Sequence, residues 1–413
     1  MSGVWFGAVP GPGYGVQVRP GNPQHARRDP RPGEGMAWFA GVRAARPVEC
    51  VRLPDGADRL AAGFWVVVAE FEGRGYAWRF ADVVRAEAAP DPAPELADVW
   101  RGPVGPWRSS MSAAQFRAGV AAVRERIRAG DVYQVNLCRV LSADLPAAHG
   151  GEPSAAALAA RLRAGNPAPF AGGVHVPAGG PLPPVWLVSA SPERFLSVAG
   201  GLVRSGPIKG TAATVGGLTG KDAAENVMIT DMVRNDLQQV SEPGGVEVEQ
   251  LLAVEHHPGL VHLVSTVAGR LLPGTRWSAL LGATFPPASV SGAPKLAALD
   301  VIRALEPTPR GPYCGAFGWV DGDAGRAEVA VAIRSFWWTP DDGGTLRFGT
   351  GAGITWDSDP HAEWAETELK AGRLVALAGG RDAACEAERS GDAVTGPGRS
   401  ATSGAGASEE RTD

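Results

Sequence analysis

From Val185 onward the sequence alternates short strand-like runs with long helical patterns, and this alternation restricts the fold more than any other feature. Several runs alternate apolar with polar residues, as half-buried strands do. Long helices are predicted over Lys221–Gln239 and His361–Ala378, and a third begins near Pro294. Strands in hairpin-like succession with helices interspersed indicate an α+β fold rather than a βαβ one. The predicted strands are Val185–Ser189, Glu193–Val198, Val261–Val267, Ala316–Asp321, Glu328–Trp337 and Leu346–Gly351.

The part of the chain before residue 185 contains fewer patterns that predict helices or strands. Residues 1–105 are rich in Pro and Gly and contain one clear strand-like run, Gly63–Phe71. Ser112 and Gln115 then fit a capping box that begins a helix, which ends at Gly130. At the other end, residues 379–413 lack aromatic residues and are dominated by small and charged ones, which predicts a disordered tail.

Composition excludes several classes of function. The 413 residues carry a formal net charge of −5, so no basic surplus indicates nucleic-acid binding. No apolar run approaches the roughly 20 residues that a membrane-spanning helix needs, and the first residues lack a signal-peptide pattern. The cysteines are isolated, with no CxxC pair, which favours reduced thiols over a zinc site. We therefore expect a soluble cytoplasmic protein.

Lysine is rare and its placement is informative. Only four of the 39 basic residues are lysines, and each lies in a segment that we expect to form part of a functional site. Arginine keeps its proton, whereas lysine can act as a nucleophile in a suitable environment. Lys209, in PIKGT, is the lysine that we expect to do chemistry; the others are Lys221, Lys295 and Lys370.

Two acidic pairs predict a metal site if their helices meet. Asp222 and Glu225 are three residues apart on one predicted helix, and Glu363 and Glu366 on another. This spacing places each pair on one helix face. Four carboxylates in one place would repel strongly without a cation, and oxygen ligands favour a hard one such as Mg²⁺. The alternative is that both pairs lie on solvated helix faces.

Three further features have two interpretations each. His262, in an apolar strand, is either a hydrogen-bonded core residue or a catalyst. Arg334 lies within a β-branched strand, where it either pairs with a carboxylate or binds an anionic ligand. The segment Gly349–Gly353 either presents backbone N–H groups to an anion or is an ordinary turn after a strand.

An ordered series of motifs gives the most specific signal. The stretches are IRAGDVYQVNL (127–137), SPERF (191–195), PIKGT (207–211), KDAAENVMITDMVRNDL (221–237), HLVSTVAG (262–269), FPPASVSGAPK (285–295), YCGAFGWV (313–320), AIRSF (332–336), GAGITWDSDP (351–360) and AEWAETELKA (362–371). In sequence and order they resemble the chorismate-utilising enzymes, over about residues 110–378.

The resemblance implies a fold and a substrate. The fold would be an α+β sandwich of two antiparallel sheets flanked by helices, and the substrate would be chorismate, with Mg²⁺ as cofactor. Residues 1–105 would form an N-terminal part of the same sandwich, and residues 106–378 the chorismate-binding catalytic domain, followed by the tail over 379–413.

The resemblance also implies roles for individual residues. Metal binding would fall to Glu225 and Glu366 directly and to Asp222 and Glu363 through water, with the metal holding the ring carboxylate of chorismate. Binding of the enolpyruvyl carboxylate would fall to Tyr313, Arg334 and the Gly353 backbone. Ser289 would lie near the ring carboxylate, and His262 near the departing C4 hydroxyl.

Two positions favour one member of the family. Isochorismate and salicylate synthases carry a water-activating lysine where this chain has Gln134, so water is disfavoured as the nucleophile. Anthranilate synthases usually have a small residue where this chain has Lys209, whereas aminodeoxychorismate synthases have the lysine. The resemblance thus implies amination of chorismate at C4, the first step toward p-aminobenzoate and folate. The alternatives are an anthranilate synthase component and a non-catalytic chorismate-binding paralogue.

The implied mechanism uses two displacements. Glu193 would protonate the leaving C4 hydroxyl, so its pKa should be raised, and Lys209 would add at C2. Ammonia would then attack C4 and expel the lysine. No glutaminase motif such as GxCxGxQ occurs in the chain. The resemblance therefore implies a separate glutamine amidotransferase subunit as the source of ammonia.

Overall fold

The computed structural model describes residues 34–85, 92–147, 151–212, 214–257 and 260–379. The predicted disordered tail, apart from Gly379, lies outside these ranges. The described ranges hold the strands β1 Met36–Phe39, β2 Val42–Leu53, β3 Phe64–Ala69, β4 Gly75–Arg85, β5 Val104–Ser109, β6 Gln134–Asp144, β7 Phe170–Val176, β8 Val185–Ser191, β9 Arg194–Ala199, β10 Leu202–Gly206, β11 Ile208–Ala212, β12 Ser241–His257, β13 Leu260–Leu271, β14 Gly292–Ala293, β15 Ala316–Asp321, β16 Arg326–Val331, β17 Ser335–Thr339 and β18 Thr345–Ile354. The helices are α1 Ala113–Ala129, α2 Ala155–Gly165, α3 Gly220–Gln238, α4 Trp277–Thr284, α5 Lys295–Leu305 and α6 Pro360–Ala378.

The strands form two antiparallel sheets. In the first sheet the order is β5–β6–β18–β17–β8–β7–β1, with β14 also paired to β6. In the second it is β4–β3–β15–β16–β9–β10–β13–β12, with β11 also paired to β13. Strand β2 pairs with β1 and with β4, so it joins the two sheets. The strands of residues 36–85 thus pair directly with later strands of both sheets.

The inner faces of the two sheets pack against each other. Phe39 of β1 contacts Phe317 of β15 edge to face at 5.2 Å between ring centroids. The guanidinium of Arg194 in β9 lies over the ring of Phe170 in β7. Aromatic rings that cross between sheets contribute both buried apolar area and a preferred orientation. The arrangement is therefore a sandwich, with α2 and α6 packed on the outer face of the first sheet and α3 on the second.

Side-chain caps explain where several helices begin. Ser112 and Gln115 form the predicted capping box of α1, and Gly130 ends that helix in the left-handed conformation with φ 83°. Thr219 and Asp222 form a second capping box at α3. Asp359 accepts hydrogen bonds from two backbone N–H groups at the start of α6. The three helices predicted from the second half of the chain are confirmed to within one residue at each stated end.

One strand prediction is wrong. The predicted strand Glu328–Trp337 is two strands, because the chain leaves β16 after Val331 and enters β17 at Ser335 in the other sheet. The strand predicted at Gly63–Phe71 is confirmed as β3, and β1, β2 and β4, which the sequence did not indicate, accompany it. Strand β2 contains Pro47, several arginines and a register shift between Pro47 and Glu49, which hides its pattern. Among the described helices none is long and apolar enough to cross a membrane.

Candidate active site

A cavity of about 560 Å³ lies where the chain passes from one sheet to the other. Two such crossings border it. Pro192 and Glu193 connect β8 to β9, and the segment ending at Arg334 connects β16 to β17. Ten of the eleven residues predicted for the site line the cavity: Glu193, Lys209, Asp222, Glu225, His262, Ser289, Tyr313, Arg334, Gly353 and Glu366. The eleventh, Glu363, lies beside them and is described below.

Glu193 is the buried acid of this cavity. Its side chain is 3% exposed, and it accepts hydrogen bonds from the Ser289 hydroxyl and the Ile208 backbone N–H. Burial raises the pKa of Glu193 to about 7, although these two hydrogen bonds and the nearby Lys209 act in the opposite direction. A carboxyl group of this kind can hold its proton near neutral pH and donate it.

Arg334 is positioned to bind an anion. Its backbone has φ 52°, a left-handed conformation that non-glycine residues rarely adopt. In the described ranges no carboxylate pairs with its guanidinium, and burial lowers the pKa of Arg334. Of the two interpretations offered by the sequence, an internal ion pair is therefore wrong within these ranges. A buried cation that lines a cavity without a protein counter-charge favours a negatively charged ligand.

The glycine-rich segment is the end of a strand rather than a turn. Residues 349–353 belong to β18 and pair with β6, so the interpretation as a turn after a strand is wrong. Strand β17 pairs with β18 only as far as Phe348, and beyond that point this edge of β18 borders the cavity. A Cβ on Gly349 would lie 2.0 Å from the Tyr313 ring. The absence of a side chain at Gly349 therefore lets the Tyr313 ring pack against the strand.

Replacing Gly349 with alanine should displace Tyr313 from the cavity wall. We expect Gly349→Ala to lower the free energy of unfolding by about 2 kcal/mol, the usual cost of overpacking a core, and to raise the KM for the substrate that binds in this cavity. Urea unfolding and steady-state kinetics measure both effects. The matched control is Gly372→Ala on α6, where an added Cβ meets no atom within 4 Å. Equal behaviour of the two variants would contradict this account.

Lys209 extends from β11 into the centre of the cavity. A Cβ added to Gly353 would lie 3.5 Å from Lys209 Nζ and 2.6 Å from Nε2 of Gln134. The ammonium also interacts electrostatically with Glu193 and Glu225. Lys209 thus lies between the buried acid at one crossing and the carboxylates of α3.

The acidic faces of α3 and α6 do meet. Lys221 of α3 donates a hydrogen bond to Oε1 of Glu363 on α6 at 3.5 Å, and its Nζ lies 3.7 Å from Oε1 of Glu225. Lys370 makes a 2.5 Å ion pair with Glu366. Burial raises the pKa of Glu225, against the effect of Lys209 and Lys221. The alternative that both acidic pairs lie on separate solvated faces is therefore wrong.

The carboxylates differ in their availability for a metal ion. Oδ2 of Asp222 is engaged in the helix cap, where it accepts bonds from the N–H and hydroxyl of Thr219 at 2.8 and 2.7 Å. Oε2 of Glu363 is buried without a hydrogen-bond partner. In the described ranges no three His, Cys, Asp or Glu side chains form a ready-made metal cluster. Because Mg²⁺ needs only one or two carboxylates beside water and substrate oxygens, these side chains fit it.

A model of the family described as chorismate binding enzyme matches residues 70–376, well over half of the chain. The chain belongs to the chorismate-binding enzymes. The solved structure of anthranilate synthase component I from Streptococcus pneumoniae matches 88% of this chain and 95% of its own, with a TM-score of 0.64 at 23% identity. The predicted α+β sandwich fold is thereby confirmed.

The sequence relatives of this chorismate-binding enzyme include two kinds of synthase. Anthranilate synthase component 1 of Streptomyces coelicolor is 39% identical over 281 residues, which are 65% of this chain and 52% of the relative. Aminodeoxychorismate synthase component 1 of Salmonella typhimurium is 34% identical over 281 residues, 65% of this chain and 58% of the relative. The chain thus spans about half to three fifths of the length of these two proteins.

For several residues at the site of this chorismate-binding enzyme, the sequence predicted no role. Lys221 and Lys370 are rare lysines in segments expected to belong to a site, but the sequence assigned them no role; each pairs with a carboxylate of the acidic helix faces. Asn166 lines the cavity without any motif that indicates it, and Asn136 lines it from within the motif IRAGDVYQVNL, where no role was assigned to it. Gln134, which the sequence did single out, is almost fully buried, and its Oε1 has no hydrogen-bond partner in the described ranges. An i, i+4 spacing of lysine and glutamate on each helix was the available signal for the two lysines.

Proposed function

We propose that this chain aminates chorismate at C4 to give 4-amino-4-deoxychorismate. The observation that carries the proposal is the placement of Lys209 in the cavity beside Glu193. A nucleophilic lysine next to a carboxylic acid is the pair that displacement of the C4 hydroxyl requires. The family match supports chorismate as the substrate, and the aminodeoxychorismate synthase of Salmonella typhimurium is among the relatives.

The proposed chemistry assigns a task to each residue. Arg334 and Tyr313 hold the enolpyruvyl carboxylate together with the Gly353 backbone. Glu193 gives its proton to the C4 hydroxyl while Nζ of Lys209 forms a bond to C2, so that water leaves. Ammonia then forms a bond to C4 as the C2–Nζ bond breaks, which returns Lys209 to its amine form, and a proton of the new C4 ammonium group returns to the Glu193 carboxylate.

The remaining predicted residues orient the substrate. Ser289 would contact the ring carboxylate, and His262 would lie near the C4 hydroxyl. Glu225 and Glu366 would hold Mg²⁺, assisted by Asp222 and Glu363. When bound, Mg²⁺ would neutralise and orient the ring carboxylate. Ammonia would come from a separate glutamine amidotransferase subunit or from ammonium in solution.

Loss of the Arg334 guanidinium should weaken substrate binding. We expect Arg334→Met to raise the KM for chorismate about 10- to 100-fold, the value of one or two charge-assisted hydrogen bonds. Because the guanidinium is buried without a counter-charge in the described ranges, the substitution should not lower the melting temperature. Steady-state kinetics measure the KM, and thermal melts measure the melting temperature. A lower melting temperature with an unchanged KM would show a structural role instead.

Anthranilate synthesis is the second candidate. It is favoured by the Streptomyces coelicolor anthranilate synthase component 1, which is 39% identical to this chain over 281 residues. In that reaction the amino group enters at C2 and pyruvate leaves. Occupation of the space near C2 by Lys209 disfavours it, since the lysine would compete with ammonia there.

Product identification tests the proposal against both alternatives. The purified chain is incubated with chorismate, Mg²⁺ and ammonium, with and without an aminodeoxychorismate lyase, and the products are analysed by liquid chromatography and mass spectrometry. An aminated chorismate that yields p-aminobenzoate only with the lyase supports the proposal. Anthranilate formed without the lyase would refute it, and bound but unchanged chorismate would indicate a non-catalytic paralogue.

A further inference from the structure

Lys221 lies between two carboxylates of the proposed metal site. Its Nζ is 3.7 Å from Oε1 of Glu225 on the same helix and 3.5 Å from Oε1 of Glu363 on α6. The Lys221 side chain is 46% exposed, whereas those of Glu225 and Glu363 are 16% and 4% exposed. The ammonium therefore reaches the two carboxylates from the solvent side and links α3 to α6.

The charges of this arrangement require a cation. Two partly buried carboxylates at close range repel each other, and Lys221 neutralises them. A divalent cation bound directly to Glu225 and through water to Glu363 would lie within several ångströms of the ammonium and would be repelled by it. Lysine has a long, flexible side chain whose ammonium is strongly hydrated. The ammonium of Lys221 can therefore move out into solvent when the divalent cation binds.

We propose that Lys221 is an intramolecular competitor of the divalent cation: it stabilises the metal-free site and leaves the carboxylates when the cation binds. This proposal rests on the metal site of the proposed function and goes beyond it. Each cation would exclude the other from Glu225 and Glu363. Lys221 thereby weakens the intrinsic affinity for the metal while it prevents the acidic helix faces from repelling each other in the metal-free protein.

Calorimetric titration of MgCl₂ into the metal-free full chain, without substrate, tests the proposal. We expect Lys221→Gln to bind Mg²⁺ about tenfold more tightly than the native chain, because one nearby positive charge is removed. Lys221→Arg should bind with near-native affinity. The matched control is Arg234→Gln, which removes one positive charge from an exposed ion pair on the same helix and should leave the affinity unchanged.

Thermal melts give a second readout that does not depend on turnover. Without metal, Lys221→Gln should melt below the native chain, and Mg²⁺ should raise its melting temperature more than it raises the native one. Equal or weaker Mg²⁺ binding by Lys221→Gln would overturn the proposal about Lys221 while the metal site stands. If the native chain binds no Mg²⁺, or if Glu225→Gln binds it as well as the native chain does, the metal site itself fails.

Discussion

Removal of the Lys209 amine is expected to abolish C4 amination. Lys209→Ala should lower kcat on the order of 10⁴-fold, since the first displacement then has no nucleophile. Chorismate should still bind, because the contacts of Arg334 and Tyr313 remain. Product quantification by mass spectrometry measures the loss, and a binding titration with chorismate shows that the site is intact.

The control for Lys209 separates its charge from its chemistry. Lys209→Arg keeps a positive charge near Glu193 and Glu225 but supplies no competent nucleophile. It should bind chorismate within a few-fold of the native affinity and be as inactive as the alanine variant. Native-like amination by either variant would contradict the proposed nucleophile, and restored activity in the arginine variant alone would show that only the charge matters.

Neutralising Glu193 is expected to have the second largest effect. Glu193→Gln keeps the shape of the side chain but cannot donate a proton to the C4 hydroxyl, so kcat should fall about 10²- to 10⁴-fold. Burial raises the pKa of Glu193 to about 7. The acid must be protonated to act, so native kcat should decline as the pH rises through about 7. Glu193→Gln should lack this limb of the pH profile.

The pH dependence of the melting temperature gives an independent check on the raised pKa of Glu193. Its pKa is about 7 in the folded protein and lies above its ordinary value. The carboxyl group therefore stabilises the fold at low pH, and this contribution is lost as the pH rises through about 7. Between pH 4.5, the ordinary pKa of the carboxyl group, and a pH of about 7, the melting temperature should fall less for Glu193→Gln than for the native chain. Full activity in the variant, or an unchanged pH limb, would show that another group donates the proton.

Local signals in the sequence predicted the helices well. Ser112 and Gln115 marked the start of α1, and Gly130 its end, because caps and left-handed glycines act within a few residues. Strands depended on partners far away in the chain. The run that contains Arg334 reads as one strand, yet it changes sheets at that residue. Only the tertiary pairing of β16 with β9 and of β17 with β8 determines the break.

In the site, too, local spacing was predictable from the sequence and long-range packing was not. The spacing of Asp222 with Glu225 predicted one acidic face, but whether it meets the face of α6 is a matter of helix packing that spacing cannot give. The motif resemblance selected ten of the residues that line the cavity. It did not indicate that Lys221 would lie between carboxylates, or that Arg334 would be buried with no counter-charge in the described ranges.

The most direct test of the account is a search for the covalent bond to Lys209. The native chain is mixed with chorismate and Mg²⁺ without ammonia, quenched in acid, digested and examined by mass spectrometry. We expect the peptide containing Lys209 to gain the mass of chorismate less one water, and added ammonia to remove this adduct as aminodeoxychorismate forms. Aminodeoxychorismate formed at the native rate with no adduct at Lys209 at any quench time would contradict it.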